Sequence, residues 1–229
     1  MKRFYGEAGV IRAEGGHGIR LDDRPVNTPA GHPLVVPTEA LGERIAAEWQ
    51  AQVETVKPET MPVTRLASTA IDLLPERRDD AAQQIADYAE TDLLCYRAPE
   101  PTVLVIKQSR LWDPVLAWAQ AKLGLRFTVV TGVTPVAQDP STLRLTRDLI
   151  DALDDWRLTG LHAATTLTGS VVLGLALERG YMDAAELTAA STLDERFEME
   201  RWGSDAEAIE RLENLGDNLA ATEAYLHLL

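Results

Sequence analysis

Four histidines, one cysteine and 36 carboxylates carry most of the titratable chemistry of this 229-residue chain. A transition-metal site would need histidines, cysteines or carboxylates at ligand spacing on one element. His17, His32, His162 and His227 form no such pair, and a lone cysteine allows neither an internal disulfide nor a Cys-rich site, so no metal is expected. His17 and His32 could converge across a hairpin, but loop histidines are ordinarily just solvated. Gly169-Ser170-Val171 lacks the second glycine and the strand–turn–helix setting of a hydrolase elbow, so Ser170 reads as a helix-start or packing serine. Gly15-Gly16-His17-Gly18 has neither the spacing nor the Lys-Ser/Thr ending of a phosphate loop and reads as a turn, so no cofactor is expected. Cys95 reads as a small buried hydrophobe, which fits a reducing compartment. Acid–base catalysis by a pair of carboxylates stays open on their abundance alone, although in so acidic a chain most carboxylates form solvated faces.

The residues best suited to a task are those that could bind another protein. A helix is expected from Asp183 to about Trp202. At 100° per residue, Glu195, Glu198, Met199 and Trp202 fall on one stripe, while Ala190, Leu193 and Phe197 gather on the opposite side. Tryptophan supplies contact area, methionine adapts its shape, and carboxylates orient a partner. The competing arrangement is a sandwiched helix in which Met199 and Trp202 are core and the glutamates lie at its rim.

Charge narrows the choice of partner. The net charge is −14, from 22 basic and 36 acidic side chains. Nucleic acid and anionic lipid both require a basic footprint, so neither is expected. The excess is uneven: residues 183–229 hold 12 acidic and 3 basic side chains, whereas residues 1–60 hold 9 and 7. No stretch is apolar for the roughly 18 residues that a spanning helix needs, so no membrane is expected.

The elements that must position these residues fall into two parts. Val10-Ile11, Ile19-Leu21 and Leu34-Val36 are short β-prone stretches, with turns at Gly15–Gly18 and Asp22–Arg24 leading into Pro25–Thr28. They predict a small twisted antiparallel sheet. Thr38 then caps a helix carrying Leu41, Ile45, Glu48, Trp49 and Gln52, whose apolar face covers the sheet. Pro58 and Pro62 mark a boundary near residue 60. The fold class is thus α+β: an α+β domain over residues 1–60 and a larger helical domain over residues 61–229. In the second part helices are expected from Thr64 to Leu74, from Pro75 to Tyr88, and from an Asp113 N-cap with Pro114 at the first position to Gly124. A short strand is expected at Phe127–Val130, and a helix opening at Ser141 with Leu145, Leu149 and Leu153 on one side. Gly169–Leu177 reads as a fully buried central helix. Asp183 with Glu186, and Ser204 with Glu207, are capping boxes.

Separated blocks along the chain carry a family resemblance. They include Pro37-Thr38-Glu39-Ala40-Leu41 with Ala47-Glu48-Trp49, and Met61-Pro62-Val63-Thr64-Arg65-Leu66 with Thr69–Asp72. Further along come Thr91–Arg97, Trp112-Asp113-Pro114, Gly169–Leu173, and Asp194-Glu195 with Phe197 and Arg201-Trp202-Gly203. In this order, from about Arg3 to Asp205, the chain resembles the Atp-twelve family of ATP synthase assembly chaperones of mitochondria and alphaproteobacteria. The resemblance implies an N-terminal α+β domain and a C-terminal orthogonal helix bundle. It implies a protein, monomeric when free, that binds the unassembled alpha subunit of F-type ATP synthase without hydrolysing ATP. That alpha subunit's assembly surface is shielded until the beta subunit replaces the chaperone. Glu195 matches a glutamate linked with activity, Glu198 stands where relatives carry glutamine, and Trp49 matches a tryptophan that packs the first helix. Trp112, Asp113 and Cys95 belong to the motifs as structural positions. A bacterial cytoplasmic home is expected here, with the mitochondrial matrix for eukaryotic relatives. Two other classes stay in view, a permanent subunit of a larger assembly and an enzyme using carboxylates.

Overall fold

The computed structural model describes residues 2–203 and 205–229. Strands β1 (Ala8–Ala13) and β2 (Gly16–Leu21) form an antiparallel hairpin in which Ala13 faces Gly16. β3 (Arg24–Pro25) and β4 (Val35–Val36) both pair antiparallel with β2. Gly16 has to be glycine, because a Cβ there would meet the Val36 carbonyl oxygen at 2.3 Å. In the β2–β3 turn Asp22 adopts φ 52°, and its carboxylate accepts hydrogen bonds from the Gly6 and Glu7 amides. Those amides hold its pKa below the usual carboxylate range.

Helix α1 (Glu39–Gln50) covers this sheet, and Thr38 caps it by accepting from the Leu41 amide. Leu41 and Ile45 are fully buried against the strands. Glu48, also buried, faces the other way. It accepts from the Val63 amide at 3.0 Å and from the Thr64 amide and hydroxyl at 2.8 and 2.7 Å. These are orphan donors at the start of α2 (Pro62–Asp72), so a carboxylate from α1 caps the next helix and meets the positive end of its dipole.

The remaining described helices are α3 (Leu74–Asp87), α4 (Thr102–Trp118), α5 (Pro140–Asp151), α6 (Asp155–Thr168), α7 (Val171–Glu178), α8 (Ala184–Ser191), α9 (Leu193–Trp202) and α10 (Ala206–His227). Every residue of α7 is buried, as its all-round hydrophobicity requires, and α4, α6, α8 and α10 pack around it. Gly169 ends α6 at φ 70°, and Ser170 caps α7 by accepting from the Leu173 amide. The chain is α+β, a small antiparallel sheet with its covering helix followed by a helical bundle.

Four expectations need correction. Asp113-Pro114 does not open a helix: α4 starts eleven residues earlier, at Thr102, and runs through Pro114. Asp113 instead pairs with the buried Arg97 guanidinium at 2.8 Å, and α4 closes through a π-turn at Ala119–Leu123 onto Gly124, φ 76°. The short strand is Val130–Thr131 (β6), paired in parallel with Tyr96–Arg97 (β5) rather than spanning Phe127–Val130. α5 is capped by Asp139 with Pro140 at its first position, one step before Ser141. The helix expected over Asp183–Trp202 is two helices broken at Thr192, whose hydroxyl donates back to the Thr188 carbonyl. The Asp183–Glu186 capping box is present. Ser204 lies outside the described residues, and Asp205 caps α10.

Candidate partner-binding surface

α9 is held on one side by α4. Leu193 and Phe197 turn inward, and Lys107 lies over the Phe197 ring at 5.3 Å. Asp194 accepts from the side-chain amide of the fully buried Gln108 at 2.8 and 3.0 Å, while Glu200 pairs with Lys107 at 3.0 Å. Trp112 donates its indole N–H to the Ala190 carbonyl at 2.9 Å, tying α4 to the end of α8. These contacts make α4 and α9 antiparallel, so the first turn of α4 lies towards the last turn of α9.

The opposite face carries the four residues singled out in the sequence. Glu195 is half-buried and pairs with Arg211 of α10. Glu198 is exposed, and Met199 is half-buried in a groove of about 450 Å³ against Ile209 and Leu212 of α10. Trp202 is 82% exposed, with the Arg201 guanidinium 5.9 Å from its ring. The structure therefore groups Glu195, Glu198, Met199 and Trp202 on one side of α9, with Glu198 and Trp202 open to solvent and Glu195 and Met199 half-buried against α10, so Trp202 is not core. A tryptophan this open leaves most of its apolar area in water, which is unfavourable unless another surface covers it.

Val103, Ile106 and Ile209 are large apolar side chains that are 58%, 47% and 42% exposed. They bring the start of α4 and the start of α10 to the same end of the molecule as Trp202. The signal for Val103 and Ile106 was a three-residue spacing outside the Leu104–Gln108–Trp112 core stripe of α4. Around them α9 and α10 are rich in Glu and Asp, so the end is apolar at its centre and acidic at its edges.

The other predicted positions lie elsewhere. Trp49, half-buried, meets the Tyr5 ring edge-on at 6.0 Å, and its indole N–H has no acceptor among the described residues. Cys95 is fully buried, and burial pushes its thiol up to about 12. Asp113, within α4, sits on the buried Arg97 guanidinium. No cluster of three or more His, Cys, Asp or Glu with metal-binding geometry occurs among the described residues.

One carboxylate has the raised pKa that acid–base chemistry would use. Asp92 is fully buried, and burial lifts it to about 6 despite its donors. Those donors are the Ser170 hydroxyl at 2.8 Å and the Leu94 and Val172 amides at 3.0 and 3.1 Å. The group is thus occupied by the start of α7, which makes it a structural cap.

Comparison with known proteins was consistent across sequence and structure. The family model described as ATP12 chaperone protein matches residues 2–120. Protein atp12, mitochondrial, of Schizosaccharomyces pombe is 26% identical over 236 residues, spanning 97% of this chain and 81% of that protein. Protein ATP12, mitochondrial, of Saccharomyces cerevisiae is 22% identical, spanning 88% and 76%. The crystal structure of Atp12 from Paracoccus denitrificans superposes with a TM-score of 0.94 at 43% identity, covering 99% of this chain and 97% of that one. A protein of Agrobacterium tumefaciens superposes with a TM-score of 0.94 at 40% identity, covering 99% and 85%.

Proposed function

This chain belongs to the ATP12 chaperone family, whose members assist ATP synthase assembly, and on that premise we propose that it binds the unassembled alpha subunit of F-type ATP synthase. In this reading it acts in the bacterial cytoplasm, makes and breaks no covalent bond, and covers the alpha subunit's assembly surface until the beta subunit takes its place. The observation that carries the reading is the end of the molecule built from Trp202, Met199, Ile209, Val103 and Ile106 with carboxylates around them. Open aromatic area ringed by charge is the composition of a protein-binding centre with a polar rim.

Glu195, Glu198, Met199 and Trp202 are the proposed contacts. The chain works as two parts, an α+β domain over residues 1–60 and a helical domain over residues 61–229, coupled through Glu48. Expressing the alpha subunit alone with this protein tests the proposal: the alpha subunit should stay soluble and co-purify. Glu195→Lys should retain the helical circular dichroism, since the Glu195–Arg211 pair is a partly exposed ion pair of at most about 1 kcal/mol. It should nevertheless lose capture, and undiminished capture would remove α9 from the binding site.

A further inference from the structure

We propose that the outward face of α2 is a second docking surface, which takes an apolar polypeptide segment of the client that carries carboxylates. Two clefts meet on this face. One, of about 630 Å³, lies between the β3–β4 loop, Trp49 and α2; the other, of about 380 Å³, lies between α2, α3 and α6. Thr69 and Leu73 line both, and Leu73 stands 51% exposed on the ridge that they share. Arg65, Thr69, Asp72 and Leu73 follow at i, i+4, i+7 and i+8, so the stripe is a single face of the helix.

The charges on this face differ from those of the rest of the molecule. Arg65 lines the first cleft and Arg77 the second; both are exposed, and neither has an ion pair among the described residues. The carboxylate of Asp72 is already engaged, by the Thr28 hydroxyl at 2.5 Å, the Ala30 amide at 3.0 Å and His32 Nδ1 at 2.9 Å. Asp80, three residues after Arg77 on α3, is the other carboxylate in the lining. In a chain of net charge −14, two unpaired guanidinium groups beside apolar clefts are a local complement for carboxylates. The three bonds to Asp72 also fix the β3–β4 loop against α2, so one wall is pre-formed.

Length favours a polypeptide over a small ligand. From Arg65 to Leu73 the helix axis advances about 12 Å, and the second cleft continues beyond Leu73. An extended segment of roughly four residues covers the first part alone. It would seat apolar side chains on either side of Leu73 and point carboxylates at Arg65 and Arg77.

The identity of the client rests on the chaperone reading, whereas the existence of the groove does not, and the test separates the two. A short fluorescein-labelled peptide of alternating leucine and glutamate is titrated into the full chain. Saturable binding is expected, stronger than that of the leucine–lysine counterpart. Arg65→Glu combined with Arg77→Glu should weaken it roughly tenfold, the scale of two reversed ion pairs on a partly desolvated face. Leu73→Ser should also weaken it, while Glu195→Lys leaves it unchanged, with circular dichroism checking each fold. Equal affinity in the variants, equal binding of the lysine peptide, or binding of octanoate but of no peptide would overturn the proposal. In the second arm, p-benzoylphenylalanine in place of Leu73 should crosslink to a captured alpha subunit. Capture without that crosslink overturns the groove as a client site and leaves the chaperone reading standing. If the wild type captures no alpha subunit, the chaperone reading fails and the peptide titration still decides the groove.

Discussion

At the scale of single residues, the buried carboxylate Asp92 has the clearest measurable consequence. Its folded pKa of about 6 lies above the ordinary aspartate value, so the folded chain holds this proton over a pH range where the unfolded chain has lost it. Stability from this group is therefore full below about pH 4 and falls as pH rises towards 6. The loss approaches about 3 kcal/mol for a shift of this size. Urea denaturation of the wild type and Asp92→Asn should show the wild type losing ground to the variant between pH 4 and pH 7. A difference that stays flat over that range would mean that burial does not control Asp92. Ser170 could be read from its sequence as a helix-start serine because a cap depends only on local order. That its hydroxyl also donates to Asp92, 78 positions away, depends on how α7 enters the core, and nothing near either residue signals it.

Elements were legible where their ends carry local chemistry. Thr38, the Asp183–Glu186 box and Gly124 mark helix ends by side-chain or backbone preferences that act within a few residues, whereas Gly169, read as the start of the buried helix, instead ends α6. Asp113-Pro114 carries the same signal, yet α4 runs through it. The residues before it, Leu104, Gln108 and Trp112, bury one face, and that packing outweighs the lost backbone bond at Pro114. The break at Thr192 had no glycine or proline to announce it. Two predictions belong to this scale. Glu48→Ala removes the acceptor for three donors at the start of α2, so it should cost about 3 kcal/mol in chemical denaturation. Glu48→Gln, which keeps one acceptor oxygen, should cost less, and equal losses would show that packing alone matters there. Gly174→Ala should raise helix propensity in α7 yet destabilise by roughly 1–3 kcal/mol. Its Cβ would meet Thr165 Oγ1 at 2.4 Å and Leu161 Cδ1 at 3.0 Å, both fully buried. A variant as stable as the wild type would mean that α6 and α7 can separate at little cost.

At the scale of the whole molecule, the uneven charge was readable from counting, because like charges crowd the last 47 residues whatever fold they adopt. The four-residue stripe on α9 was readable from helical period. Its neighbours were not, since Val103, Arg211 and Ile209 reach it only through the antiparallel packing of α4 against α9 and the return of α10. The α2 groove was hidden for a similar reason, being made of segments from the sheet, α1, α2, α3 and α6. The acidic rim and the apolar centre of the α9 end should affect capture of the alpha subunit differently. Charges at a rim act over the Debye length and mainly speed encounter, whereas a buried aromatic anchor mainly slows release. Raising the salt from about 0.05 to about 0.5 M should therefore lower the association rate several-fold and change the dissociation rate little. Trp202→Ala should do the reverse, raising the dissociation rate by roughly tenfold or more, as loss of a central tryptophan does elsewhere. Surface plasmon resonance with immobilised alpha subunit separates the two rates. If Trp202→Ala altered only association, or if salt acted only on dissociation, the tryptophan would lie outside the buried centre and the carboxylates inside it.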